Sequence, residues 1–330
     1  MNYKIFFKFE ILFGLCLFVL GLILGKIIFT KSNLIPKAHV IRQGSSKFIN
    51  PLLECDLADN SFSELEPFQK KIQVFADLYK KQNSEISSLA VYFRDLNNGP
   101  WFGIDEQEMF SPASLLKTPL MIAYFKLSEK DPTVLQKTIL YSGNENFPKI
   151  TKNIHSEVNL VAGQSYTVEK LIKHMIVYSD NQAYFLLFSN ININDLINIY
   201  KDFGISLDIN NSESIVNVKN YASFFRILFN ASYLNQTNSE KALEFLSESE
   251  FKDGLVAGVP NNIIVSHKFG ERELEGKNLD QIHDCGVIYY PNHPYLLCVM
   301  TKGSTPQKLI KAIYEVSSLV YKQVDSQMSQ

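Results

Sequence analysis

Cysteine is scarce in this chain, and its scarcity excludes two classes of protein. The 330 residues hold only Cys16, Cys55, Cys285 and Cys298, too few and too scattered for a disulfide framework or a zinc site. Cys285 and Cys298 flank an expected hairpin, where a buried thiol pair is the better reading. His174, His267 and His283 show no metal-ligand spacing and read as packed or hydrogen-bonded side chains. No metal and no cofactor is expected. An excess of one charge is also missing: 32 Lys and Arg face 34 Asp and Glu, for a net charge of -2. No basic run with interleaved aromatics occurs, so no nucleic-acid partner is expected.

The N-terminal end lacks processing signals. Phe13-Gly14-Leu15 puts no small residue directly before Cys16, and Gly25-Lys26-Ile27-Ile28-Phe29 offers no small-x-small cleavage site. What is present there is a long apolar run. Residues 11–29 are apolar apart from Lys26, near the low end of the ~17–25 residues that span a bilayer. Lys26 lies close enough to one end to snorkel. Residues 1–30 are therefore expected to be an uncleaved membrane-anchoring helix, and 31–64 a tether. Residues 65–325 should form one folded domain, with a helical subdomain at about 131–250. Lys26, Lys31, Lys37 and Arg42 follow the span while Lys4 and Lys8 precede it. The positive-inside rule alone would thus keep the domain in the cytoplasm.

The remainder, in a chain 46% hydrophobic and 20% charged, reads as globular. Phe68, Ile72, Phe75 and Leu78 form one stripe and predict a helix over 67–82. Residues 88–95 alternate as a strand, Asn97-Asn98-Gly99-Pro100 is a turn, and 101–104 is the returning strand. Ser111 and Pro112 suit a helix cap and first helical position. Pro119, one turn inside, should bend that helix. From 131 to 203 the signals are helical, with Thr167 as one cap, and helices continue over 218–230 and 240–246. The period then changes to strands at 263–269, 285–290 and 295–300, and 306–323 is a closing amphipathic helix. This order predicts an α/β chain of the α+β kind. One antiparallel sheet would carry both terminal helices on one face and the helical subdomain on the other.

Three motifs carry the chemistry. Ser114-Leu115-Leu116-Lys117 places a hydroxyl and an amine on one face of a helical turn; Ser249-Glu250-Phe251-Lys252 matches the same spacing. Ser179-Asp180-Asn181 directly follows a helix, and Lys268-Phe269-Gly270 lies on the first strand after the helical insertion. In this order and spacing the chain resembles the class A β-lactamases and their penicillin-binding relatives, over roughly residues 68–320.

That resemblance implies a five-stranded antiparallel sheet flanked by helices and an acyl transfer on Ser114. Lys117 would take the proton, Ser179 would pass it to the leaving nitrogen, and Asn181 would orient Lys117 and the substrate amide. Lys268 would be the second cation that favours a neutral Lys117, and would attract a substrate carboxylate. The Ser114 and Glu271 N–H groups, beside Gly270, would form the oxyanion hole, and Asp180 would be structural. The loop base of the lactamases has a literal match in Glu213-Ser214-Ile215-Val216-Asn217, although Ser212 and Glu213 read equally well as a helix start. Phe269 departs from the family, since its ring cannot donate the hydrogen bond of the usual hydroxyl. The expected substrate is a β-lactam or a peptidoglycan-derived acyl-amide. Two alternatives stay open: a peptidoglycan D,D-peptidase, and a catalytically silent binding module. Such substrates place the domain outside the cytoplasmic membrane, against the charge bias, because a folded domain of this size translocates regardless of nearby lysines.

Overall fold

The computed structural model describes residues 40–44, 46–55, 65–97, 99–145, 147, 156–202, 215–274 and 279–328, together with Gly14, Phe18 and Gly21. The expected anchor, apart from those three residues, and Glu213 lie outside this set. Among the described residues, no helix is long and apolar enough to cross a membrane.

Part of the expected tether is folded. Strands β1 (Val40–Arg42) and β2 (Leu52–Cys55) pair antiparallel. Between them Phe48 and Ile49 are buried, which contributes about 1.5–3 kcal/mol per side chain. Their amides donate to the two carboxylate oxygens of Glu240 at 3.0 Å each. The Asn50 amide donates to the Phe229 carbonyl. The tether reading therefore does not extend to residues 40–55: a short ribbon with two buried side chains and paired amides is part of the domain.

Helix α1 (Glu66–Gln82) precedes the hairpin β3 (Ile86–Asp95) and β4 (Trp101–Ile104). Gly99 turns the hairpin at φ +86, a conformation costly for any residue with a Cβ. Strand β5 (Met109–Phe110) leads to a 3-10 turn at Ala113–Leu116 and helix α2 (Lys117–Ser128). The insertion holds β6 (Thr138–Tyr141), β7 (Gln164–Thr167), α3 (Val168–Val177), α4 (Asn181–Ser189) and α5 (Ile193–Asp202). It continues with β8 (Val216–Asn217), α6 (Val218–Phe229) and α7 (Gln236–Ser247). Long strands β9 (Val265–Leu274), β10 (Leu279–Ile288) and β11 (Tyr295–Gly303) follow, and α8 (Pro306–Met328) closes the domain.

The five-stranded sheet has the order β4-β3-β11-β10-β9, antiparallel throughout. The pleat of β3 shows why both faces are covered. Leu89, Val91 and Phe93 enter one core with Phe68 and Ile72 of α1 and Leu309, Ile313 and Val316 of α8. Ala90 and Tyr92 enter the other, with the helices of the insertion. Alternate residues of one strand thus serve two cores.

Three expectations are corrected here. The insertion is not all helical, because β6 and β7 pair as a small hairpin. Thr167, at the end of β7, still caps α3 by accepting from the Lys170 amide at 3.2 Å. Strands β9 and β10 extend beyond the expected 263–269 and 285–290, through polar residues that a period-based reading ends on. Gln281, His283 and Asp284 are nonetheless buried, each with its side chain hydrogen-bonded to a main-chain group. Finally, Cys285 and Cys298 face each other in the β10–β11 register and are joined by a disulfide, not left as thiols.

Candidate active site

The site begins at Ser111, which is not the helix cap expected of it. Its amide donates to Gln281 Oε1 at 3.0 Å, its carbonyl accepts from His283 Nε2 at 2.9 Å, and its Oγ accepts from Arg272 Nη1 at 2.5 Å. All three groups are engaged by β9 and β10, and Pro112 rather than Ser111 stands at the helical turn's N-cap, with no side-chain cap. The chain instead turns at Ala113, whose φ of +49 is left-handed and costs on the order of 1–3 kcal/mol for a residue with a Cβ. Leu115 N–H closes the 3-10 turn on the Pro112 carbonyl at 2.9 Å. The α-helix starts only at Lys117. Pro119 therefore falls in the first helical turn, where the missing N–H had no intrahelical partner, and the expected bend is not needed. The buried Tyr221 hydroxyl, reaching from α6, lies 3.0 Å from both the Leu115 carbonyl and Thr118 Oγ1.

This clamp has a pH signature. Burial pushes His283 down to about 4, outweighing the Ser111 and Ile282 backbone contacts that favour its charged form. An unfolded histidine titrates near ~6.5. The stability owed to neutral His283 is thus complete above that value and is lost as pH falls from there towards 4, by about 3 kcal/mol. His283→Gln should flatten the fall in unfolding free energy between pH 7 and 4 by about that amount. Superimposable stability profiles for the two proteins would disprove it.

Ser179 arrives from the opposite side. Helix α3 ends at Val177, and Ser179 takes φ +51, reversing the chain so that Asp180 caps α4. The Asp180 carboxylate accepts from the Gln182 amide at 2.7 Å and the Ala183 amide at 3.2 Å. Burial pushes this carboxyl up, but the His174 ring 3.8 Å away and the hydrogen-bonding Ala183 and Gln182 amides outweigh that and hold it below its ordinary value. Asp180 is thereby occupied with the helix junction, and Ser179 and Asn181 are the residues turned to the site.

Lys117 Nζ links the two sides. It lies 3.1 Å from Ser114 Oγ, 2.7 Å from the Ser179 carbonyl, 3.1 Å from Ser179 Oγ and 2.7 Å from Asn181 Oδ1. Lys268 Nζ, from β9, donates to Ser179 Oγ and to the Phe269 carbonyl at 3.0 Å each. Both lysines are buried, while Ser114 and Asn181 are partly open. Five of the residues named from the sequence, Ser114, Lys117, Ser179, Asn181 and Lys268, thus form one connected network. Gly270 lets β9 pass close to the Ser114 turn: a Cβ there would lie 2.9 Å from the Pro112 carbonyl oxygen. Glu271 follows it with a buried side chain.

Phe269 presents a buried ring, 4.4 Å between centroids from Phe251, and the Lys268 ammonium lies 4.3 Å from its centre. By the pleat it shares a face with Asp284, which is bonded to His267 at 2.8 Å. His267 thus lies off the Lys268 side, as alternation requires. The second Ser-x-x-Lys match brings nothing together, since buried Ser249 Oγ has no hydrogen-bond partner. What sequence reasoning missed is the clamp on Ser111. A strand arginine carries no signal of its own in sequence, but Lys268, Gly270 and Arg272 share one pleat face, opposite Cys285, His283 and Gln281.

Comparison with known proteins agrees with this fold. The profile of the beta-lactamase enzyme family matches residues 67–324. Among solved structures, PBP-A is similar at 19% identity and a TM-score of 0.65, covering 79% of this chain and 97% of that one. The TLA-3 extended-spectrum β-lactamase is similar at 17% identity and a TM-score of 0.69, covering 78% and 99%. A class A β-lactamase from Mycobacterium abscessus gives 19%, a TM-score of 0.64, and 77% and 99%. No curated protein matches the chain by sequence. With its profile covering most of the chain, the protein belongs to the beta-lactamase enzyme family.

Proposed function

We propose that the protein is a serine hydrolase that acylates Ser114 with a β-lactam or related amide and then hydrolyses the acyl-enzyme. The observation that carries this reading is the setting of Lys117 Nζ. Its two nearest oxygens, the Ser179 carbonyl and Asn181 Oδ1 at 2.7 Å, can only accept; the two hydroxyls at 3.1 Å can also donate. A neutral amine spends its two hydrogens on the acceptors and offers its lone pair to Ser114. Burial and the nearby Lys268 ammonium both disfavour a second charge there.

Ser114 Oγ attacks the amide carbonyl as its proton passes to Lys117. The oxyanion is held by the Ser114 and Glu271 N–H groups. As the C–N bond breaks, Ser179 Oγ gives its proton to the leaving nitrogen and is reprotonated from Lys117. Water then cleaves the ester and regenerates Ser114. Glu213 is the candidate base for that water. Lys268 draws in an anionic substrate, while the Phe269 ring offers it no donor.

A second reading is a D,D-peptidase acting on peptidoglycan with the same residues: it does not require a loop base, and Ser212 and Glu213 read equally well as a helix start. A PBP-A variant has been solved as an acyl-enzyme complex with penicillin G, so the fold admits such an adduct in a relative. We place the domain outside the cytoplasm, tethered by the apolar N-terminal segment; the Cys285–Cys298 disulfide supports an oxidising compartment.

The test is intact-mass detection of a covalent adduct with a fluorescent penicillin. Wild type should gain one adduct and Ser114→Ala none. Absence of adduct on wild type would overturn both enzymatic readings and leave a silent binding module. An adduct that decays within seconds indicates a lactamase, and a long-lived one the peptidase. A membrane-impermeant form of the probe should label intact cells; labelling only after lysis would overturn the proposed topology.

A further inference from the structure

At the edge of the sheet opposite β9, a cleft of about 440 Å³ opens between β3, β4 and α6. Three cations line it: Arg94 on β3, and Lys219 and Arg226 on α6. Arg94 and Trp101 face each other across the β3–β4 register, and Lys219 Nζ lies 4.1 Å above the Trp101 ring. Asp202 is the one carboxylate in the lining, and it accepts from the Tyr233 hydroxyl at 2.9 Å. None of the three cations forms an ion pair with a carboxylate of the described residues. Arg226 is half-buried, and its guanidinium makes no hydrogen bond with them. Burial and the neighbouring Arg94 charge both push it below its ordinary value.

Such a cluster is costly to assemble without a counter-charge. Like charges on Arg94 and Arg226 repel, and the partial burial of Arg226 removes the water that would screen them. The lining carries two more positive than negative charges, which one dianion would balance. Arginine forks match the paired oxygens of a phosphate. The cleft is much larger than a phosphate ion, and its remaining wall includes Tyr92 and Trp101, stacked 5.5 Å apart. We propose that this cleft binds a small organic phosphate as its dianion, with Arg94 and Arg226 on the phosphate and the organic part against the aromatic wall. The site is separate from Ser114 and does not depend on the hydrolase reading.

Trp101 is the only tryptophan in the chain, so its fluorescence reports on the cleft directly. Titrating the full-length protein with inorganic phosphate or phenyl phosphate, against sodium chloride at matched ionic strength, should give a saturable change in emission. Phenyl phosphate should half-saturate at lower concentration. Arg226→Met and Arg94→Gln, on opposite walls, should each raise the half-saturation concentration at least tenfold, while Ser114→Ala leaves it unchanged. Without ligand, both arginine variants should melt at or above the wild-type temperature, because each removes an unbalanced charge. A response equal to that of chloride, or one undiminished in both arginine variants, would overturn the proposal.

Discussion

Lys117→Met is expected to lower the rate of Ser114 acylation by about 10⁴-fold, the upper end of what a positioned base contributes. That corresponds to about 5 kcal/mol of barrier. The size follows from the absence of a substitute. Among the described residues, Lys117 is the one side chain hydrogen-bonded to Ser114 Oγ, and Lys268 reaches Ser179 rather than Ser114. Methionine keeps the length and apolar stem of lysine but has no proton acceptor of comparable strength. It also strands Asn181 Oδ1 and the Ser179 carbonyl, each of which accepts from Lys117 at 2.7 Å, so some stability is lost as well. Pre-steady-state adduct formation and thermal unfolding, measured on the same preparation, separate the two effects. A lowered melting temperature with acylation within tenfold of wild type would remove Lys117 from the chemistry and leave it a structural residue.

Gly270→Ala should reduce kcat/KM by about 10²–10³-fold, the loss expected when one oxyanion donor is displaced. The reason is space, not backbone conformation. An added methyl at Gly270 would meet the Pro112 carbonyl oxygen and Leu115 Cγ at 2.9 Å, and the Leu115 amide nitrogen at 3.3 Å. Two of these atoms belong to the backbone of the turn that carries Ser114. That turn is fixed by Gln281, His283 and Arg272 on Ser111 and cannot yield cheaply. Strand β9 must move instead, carrying Glu271 away from Ser114. The binding of an anionic ligand at Lys268, two residues before the contact, should change less, so the loss should appear mainly in kcat. Steady-state kinetics against a penicillin would check it; kcat within threefold of wild type would mean that the two N–H groups do not act together.

Both variants show which features are local. Ser-x-x-Lys is legible because three residues make nearly one helical turn, so Ser114 and Lys117 meet whether the turn is 3-10 or α. Asp180 is legible as a cap because its acceptor serves amides two and three residues on. The strands announced themselves where apolar residues alternate, as in Leu89, Val91 and Phe93. They went unread where buried polar residues fill the pattern, as in Gln281, His283 and Asp284, because burial with a partner cannot be seen in residue type alone. Thr167 was legible as a cap, but the β6–β7 pairing that delivers it was not, since each strand is only four residues long.

The sequence by itself determined the membership of the site: a hydroxyl, an amine, a second hydroxyl and a second amine, in order, on identifiable elements. It also determined the departure at Phe269, which no fold can turn into a donor. Tertiary structure decided what those residues do to one another. Ser179 lies 65 positions from Ser114 and Lys268 lies 154, so the meeting of Ser179 with Lys117 and of Lys268 with Ser179 depends on strand register and on the packing of the insertion. The same holds for the three bonds on Ser111, the Cys285–Cys298 disulfide and the cations around Trp101. Contacts within a turn follow from backbone geometry alone. Contacts across a sheet require the whole chain to have chosen its register, and that choice is made by the two buried cores together.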